Sequence, residues 1–176
     1  MKELTERAAK VIRLASAAGL TLATVESCTA GALADAPDAG STFHGGFLVY
    51  TKTAALGIPS ELIATTSAVS PEVAKAMMIG ALDRCPADVA VAITGVTGST
   101  PDEDGNPVGL VYIAAARRGG DPHAVEGMFE KSSRSEIRDR ALECALGLLE
   151  TLLGEIPTPS RNEPGKHSPA EEQNAA

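Results

Sequence analysis

The sequence predicts an α/β fold, a three-layer α/β/α sandwich around a mostly parallel, mixed sheet. Three observations predict it. Helical and strand patterns interleave along the whole chain, with no internal repeat. Thr21–Val25 and Asp88–Thr94 are apolar or β-branched at almost every position, as strands covered on both faces require. Ser70-Pro71-Glu72 is a helix start with a capping hydroxyl, proline in the first turn and an early acid, and it stands just ahead of the second of those strands.

The elements follow in order. Glu3–Ala18 places Leu4, Ala8, Val11, Ile12 and Ala15 on one helical face, and Gly19 stops it. The Thr21–Val25 strand runs into Glu26-Ser-Cys-Thr29, and Cys28–Ala34 reads as a helix. Asp35–Gly40 is a loop. Phe43–Thr51 reads as a strand whose paired Gly45 and Gly46 signal a bulge or a close backbone approach. A short piece ends at Gly57-Ile-Pro59, and Ser60–Ala64 is one helical turn. The helix from Ser70 runs to about Leu82. After the Asp88–Thr94 strand and Gly95-Val-Thr-Gly98, an acidic loop leads to two strands, Pro107–Ala116 and Ala124–Phe129. Ser133–Leu153 is a long helix with Ile137, Ala141, Leu142, Ala145, Leu148, Leu149 and Leu152 on its apolar face. Residues 1–156 form one domain, and the polar, proline-containing 157–176 reads as a disordered tail.

Composition narrows the function. The 176 residues carry a net charge of −8 with 3% aromatics and no tryptophan. An acidic chain without a basic block argues against nucleic acid and against an anionic membrane surface. Cys28, Cys85 and Cys144 are odd in number and form no CxxC pair, which fits a reducing compartment. No apolar run is of membrane-spanning length, and Met-Lys-Glu-Leu-Thr-Glu-Arg is not a signal-peptide pattern. The expected location is cytoplasmic and the expected state a homo-oligomer.

Chemistry concentrates at three strand ends, where α/β proteins place ligands. A strand that turns through Glu26-Ser-Cys-Thr29 into a helix leaves free N–H groups on Cys28, Thr29, Ala30 and Gly31, a cradle for an oxyanion. Ser27 stands at its lip, either as a helix cap or as a nucleophile. Cys28 is a rival nucleophile, because a helix N-terminus favours thiolate, but neighbouring side chains at a strand end point opposite ways. Tyr50 and Lys52 follow the second strand. A desolvated lysine can take the proton of a serine hydroxyl with a tyrosine as helper. The alternative readings are a core aromatic and a solvated loop charge. The third end is Thr94-Gly95-Val-Thr-Gly98. Arg134 opens the last helix and is either a phosphate ligand or a solvated helix-start arginine. His44, His123 and His167 are too scattered for a Ser-His-Asp triad. Asp102-Glu-Asp104 lacks the rest of a calcium loop and reads as a solvated turn. No phosphate-binding glycine loop is present.

Val25-Glu-Ser-Cys-Thr-Ala-Gly31, Gly45-Gly-Phe-Leu-Val-Tyr-Thr51, Ala68-Val-Ser70, Thr94-Gly-Val-Thr-Gly98 and Asn106-Pro-Val-Gly109 occur together and in this order. The combination resembles the C-terminal domain of the competence/damage-inducible protein CinA, whose free-standing form is a nicotinamide-nucleotide amidohydrolase. The resemblance covers about residues 5–153. It implies an α/β/α fold and hydrolysis of the carboxamide of nicotinamide mononucleotide to nicotinate mononucleotide and ammonia, without metal or cofactor. It implies a serine nucleophile with tyrosine and lysine helpers, which places Ser27 and Tyr50; Lys52 either is the matching lysine or matches an ordinary residue of the pattern. Gly95 and Gly98 at the third strand end, with Arg134, are the expected substrate-side residues. The chain departs from the family pattern in places. The Tyr50–Gly57 segment and the helix after Ser27 are shorter, and Thr97 and Ser99 stand where Ala and Pro are usual. Two other functions fit the same residues: a non-catalytic nucleotide-binding domain, and a serine amidase of another small carboxamide.

Overall fold

The computed structural model describes residues 2–26, 33–49, 55–130 and 132–155. The elements are α1 (Lys2–Ala17), β1 (Leu22–Glu26), β2 (Phe43–Leu48), α2 (Ser60–Thr66), α3 (Pro71–Arg84), β3 (Val89–Gly95), β4 (Leu110–Arg117), β5 (His123–Met128) and α4 (Arg134–Gly154), with 3-10 turns at Ala39–Ser41 and Ala55–Gly57. The strands form one sheet in the order β2-β1-β3-β4-β5. β1 is parallel to both β2 and β3, while β4 is antiparallel to β3 and β5 to β4. The sheet is therefore mixed, with its parallel part at β2-β1-β3.

Helices cover both faces. Alternation along β1 and β3 sends Leu22, Val89, Val91 and Ile93 into one core, where they meet Val11, Ile12 and Ala15 of α1 and Ile137, Leu146 and Leu149 of α4. Ala23, Val25, Ala90 and Ala92 face the other way, against Val73, Met77, Met78 and Ala81 of α3. Arg7 and Lys10 of α1 clasp Glu150 of α4, each at 3.3 Å, along the rim of the first layer.

The paired glycines of β2 do both things the sequence suggests. Gly45 has φ 144° and sits at a break in the β1–β2 register, between Leu22↔Phe43 and Ala23↔Gly45. The irregularity reverses the strand's faces, so Phe43 packs into the α1/α4 layer and Phe47 into the α3 layer. Gly46 lies so near Thr24 that a Cβ there would stand 2.6 Å from the threonine Oγ1. A second close approach holds the chain after β2. Gly80 of α3 accommodates the backbone of Leu56, whose φ is +74°, and Arg84 donates to the Gly80 carbonyl at 3.1 Å while lying over Gly57.

Some boundaries differ from the sequence reading. Leu33–Asp35 is a turn, so no helix reaches Ala34. β2 stops at Leu48 rather than Thr51, β4 begins at Leu110 rather than Pro107, and α2 extends to Thr66 rather than Ala64. The tail reading of 157–176 and the helix reading of Cys28–Ala32 lie outside the described residues.

Candidate functional site

The three parallel strands end at one edge of the sheet. Glu26, the last residue of β1, pairs with Leu48, the last of β2, and Val49 N–H donates to the Glu26 carbonyl at 3.0 Å. The Glu26 side chain is only 4% exposed. On the other flank β3 carries past Val25↔Ala92 to Thr94 and Gly95. Two bonds tie that end to its surroundings. The Thr94 hydroxyl donates to the Ala68 carbonyl at 2.8 Å, fixing the strand end to the approach of α3, and the Ser70 hydroxyl caps α3 by accepting from Val73 N–H at 3.2 Å.

Gly95 and Gly109 are demanded by close packing. A Cβ on Gly95 would stand 2.8 Å from both the Leu110 carbonyl oxygen and Val111 Cγ2; one on Gly109, whose φ is +95°, would stand 2.6 Å from the Phe129 carbonyl oxygen. Val96 N–H donates to Leu110 O and Gly109 N–H to Val96 O, each at 2.9 Å. The turn after β3 is thereby strapped to the start of β4. A Cβ on Gly98 would meet only Thr100, at 3.8 Å, an ordinary contact.

That turn faces the start of α4 across an open cavity of about 530 Å³, lined by Thr97, Gly98, Ser99, Val108, Ser132, Ser133 and Arg134. The end of α4 is capped from within. Ser133 Oγ accepts from Glu136 N–H, and the Glu136 carboxylate takes both the Ser133 N–H and the Ser133 hydroxyl at 2.7 Å. Those bonds, the backbone one first, hold the Glu136 carboxyl below its ordinary range. Among the described residues Arg134 makes no ion pair or hydrogen bond and is the one cation lining the cavity.

A family model of the CinA C-terminal domain matches residues 4–153. The chain belongs to the CinA C-terminal domain family. A CinA-like protein of Desulfotalea psychrophila is 42% identical over 142 residues, which is 77% of this chain and 34% of that protein. One from Mycolicibacterium gilvum is 41% identical over 143 residues, again 77% and 34%. This chain thus spans about a third of the length of the curated relatives it matches. Among solved structures, competence damage-inducible protein A of Klebsiella pneumoniae superposes with a TM-score of 0.81 at 31% identity, covering 86% of this chain and 98% of that one. Competence/damage inducible protein CihA of Agrobacterium tumefaciens gives 0.79 at 35% identity, covering 85% and 94%.

Of the residues singled out from sequence, Gly98 and Arg134 meet in one cavity, and Gly95 lies at the strand end leading into it. Ser27, Cys28, Thr29, Ala30, Gly31, Tyr50 and Lys52 lie outside the described residues. Sequence reasoning did not join Thr97 and Ser99 to Ser132, because more than thirty positions separate them; the hydroxyl density of Thr97-Gly-Ser99 and Ser132-Ser133 is the signal that was available. Asp102 spends its carboxylate on its own turn, accepting from Asp104 and Asn106 N–H at 3.0 and 2.8 Å, as a solvated turn should. No described helix is long and apolar enough to cross a membrane.

Proposed function

We propose that this CinA-family domain is an amidohydrolase that deamidates nicotinamide mononucleotide to nicotinate mononucleotide and ammonia. The observation that carries the reading is the pairing of Glu26 with Leu48 at the ends of adjacent parallel strands. Ser27 follows the first directly in sequence and Tyr50 comes two residues after the second. Ser27 attacks the carboxamide carbon. Lys52, helped by Tyr50, takes the hydroxyl proton and returns one to the departing ammonia. The N–H groups of Cys28, Thr29, Ala30 and Gly31 hold the oxyanion of the tetrahedral intermediate. Arg134, unpaired at the cavity, receives the phosphate. No metal or cofactor enters this scheme, no nucleic acid or membrane is a partner, and a homo-oligomeric, cytoplasmic enzyme of pyridine nucleotide salvage is the expected setting.

Ammonia release from nicotinamide mononucleotide tests the reading. Ser27→Ala is expected to fold and to abolish release, whereas Cys28→Ala retains most of it. A dead Cys28 variant beside an active Ser27 variant would reverse the nucleophile assignment. The shortened Tyr50–Gly57 segment favours one second reading, a non-catalytic nucleotide-binding domain, which binds the nucleotide without turnover.

A further inference from the structure

We propose that Ser67, strained between α2 and α3, is a positioning residue that fixes both ends of the β3–β4 connection and so sets the turn bearing Gly95 and Gly98. That this turn serves substrate rests on the deamidase reading above.

The backbone of Ser67 is the deciding observation. Its φ of 73° and ψ of 156° lie in a region that glycine fills and other residues avoid. Two other described non-glycine residues have positive φ, but Asp38 and Leu56, with ψ of 15° and 12°, sit in the ordinary left-handed well. A residue strained in this way persists only where its surroundings over-determine it. Here they do. The Ser67 N–H donates to the Ile63 carbonyl at 3.0 Å and closes α2. Its carbonyl accepts from the Ser70 hydroxyl at 3.0 Å, the same hydroxyl that caps α3. Its own hydroxyl is saturated: it donates to Asp104 Oδ2 at 2.7 Å and accepts from Asn106 Nδ2 at 2.9 Å and from the Val69 N–H at 3.3 Å.

These bonds reach the β3–β4 connection at both ends. At its start, Thr94 donates to the carbonyl of Ala68, the residue after Ser67, and Thr94 directly precedes Gly95. Where Ser67 sends the chain therefore decides where that carbonyl lies. At its far end, Asp104 and Asn106 grip the Ser67 hydroxyl as a preformed unit. The Asp102 carboxylate ties them together, accepting from the Asp104 N–H, the Asn106 N–H and Asn106 Nδ2. Asn106 leads through Pro107 and Val108 to Gly109, which is bonded to Val96. Gly98 and Val108, on the wall of the open cavity, thus lie between two points that Ser67-Ala68 holds. Glycine at 67 would adopt the same backbone without strain but could not join Asp104 to Asn106. A strained serine in its place is what a positioning role requires.

The test compares Ser67→Gly and Ser67→Ala in the full chain. Both remove the hydroxyl, and only glycine releases the strain, so Ser67→Gly should melt higher than Ser67→Ala. In both, amide exchange at Asp104 and Asn106, followed by NMR, should run about tenfold faster than in the parent. Both should also raise KM for nicotinamide mononucleotide about tenfold with kcat within about twofold, because the turn binds rather than reacts. A merely structural serine would let KM recover with the stability of Ser67→Gly. Parental KM in Ser67→Gly, parental exchange in both variants, or Ser67→Ala melting at or above Ser67→Gly would overturn the assignment. If the parent chain releases no ammonia, the deamidase reading fails by itself. Calorimetric affinity for the nucleotide then replaces KM, and exchange at Asp104 and Asn106 still decides whether Ser67 holds the connection.

Discussion

Thr24 and Gly46 face one another across the β1–β2 pair so closely that a Cβ on the glycine would stand 2.6 Å from the threonine Oγ1. That oxygen is buried and has no hydrogen-bond partner among the described residues. The contact sits two residues before Glu26 and two before Leu48, so it sets how the strand ends carrying the candidate site lie side by side.

A double-mutant cycle reads this contact. Gly46→Ala alone should cost about 1–3 kcal/mol in unfolding free energy, the usual scale of overpacking. In a Thr24→Ala background the added methyl finds room, and the cost of Gly46→Ala should fall by at least half. Equal costs in the two backgrounds, by urea denaturation, would show that the threonine is not what the methyl meets.

At the opposite end of the same strands, Asp88 closes β1 onto β3. Its carboxylate accepts from the Thr21 N–H at 2.9 Å and from the Thr21 hydroxyl at 2.8 Å. Burial pushes the carboxyl up, but the two bonds from Thr21 and the charges of Arg117 and Arg118 outweigh it and leave the group below its ordinary value of 3.8. A lowered carboxyl stabilises the fold fully above its unfolded value and loses that contribution as pH falls through the folded one. Asp88→Asn does not titrate. The parent should therefore exceed it in stability by a constant margin above pH of about 5, less than about 1 kcal/mol because the group is largely solvated, and the margin should close below pH of about 4. A margin that widens on acidification would contradict the sign.

The layers were legible because single residues declare them. Val11, Ile12 and Ala15 mark the buried face of α1, Ser70-Pro71 marks the start of α3, and Val89–Ile93 can be apolar throughout only in a strand covered on both sides. The glycines Gly45 and Gly46 announced an irregularity but not its consequence, the opposite facing of Phe43 and Phe47, which depends on the partner strand. The length of α2 was hidden because it buries no residue and so carries no apolar stripe. Gly80 resembles any helical glycine until Leu56 is seen against it. At the site, Gly98 and Arg134 were legible as loop and helix-start residues, but their shared cavity is a property of the fold.

Lys52 decides between enzyme and binding domain. A serine hydroxyl is a poor nucleophile until a base takes its proton, and no histidine stands near Ser27 or Tyr50 in sequence apart from His44, which is exposed on β2. Lys52 lies between two fixed points. Leu48 pairs with Glu26 on one side of it, and on the other a Cβ added to Gly80 would stand 2.7 Å from Leu56 Cβ. If the lysine is the base, Lys52→Met should lower kcat by about a hundredfold or more, the usual scale for a lost general base, with little change in nucleotide affinity because the phosphate is held at Arg134. Lys52→Arg should not restore the rate, since a guanidinium stays protonated and cannot accept the serine proton. Full activity in Lys52→Met would remove the lysine from the mechanism. A parent chain that binds the nucleotide but releases no ammonia would place this domain among binding modules, with the shortened segment between Tyr50 and Gly57 as the physical cause.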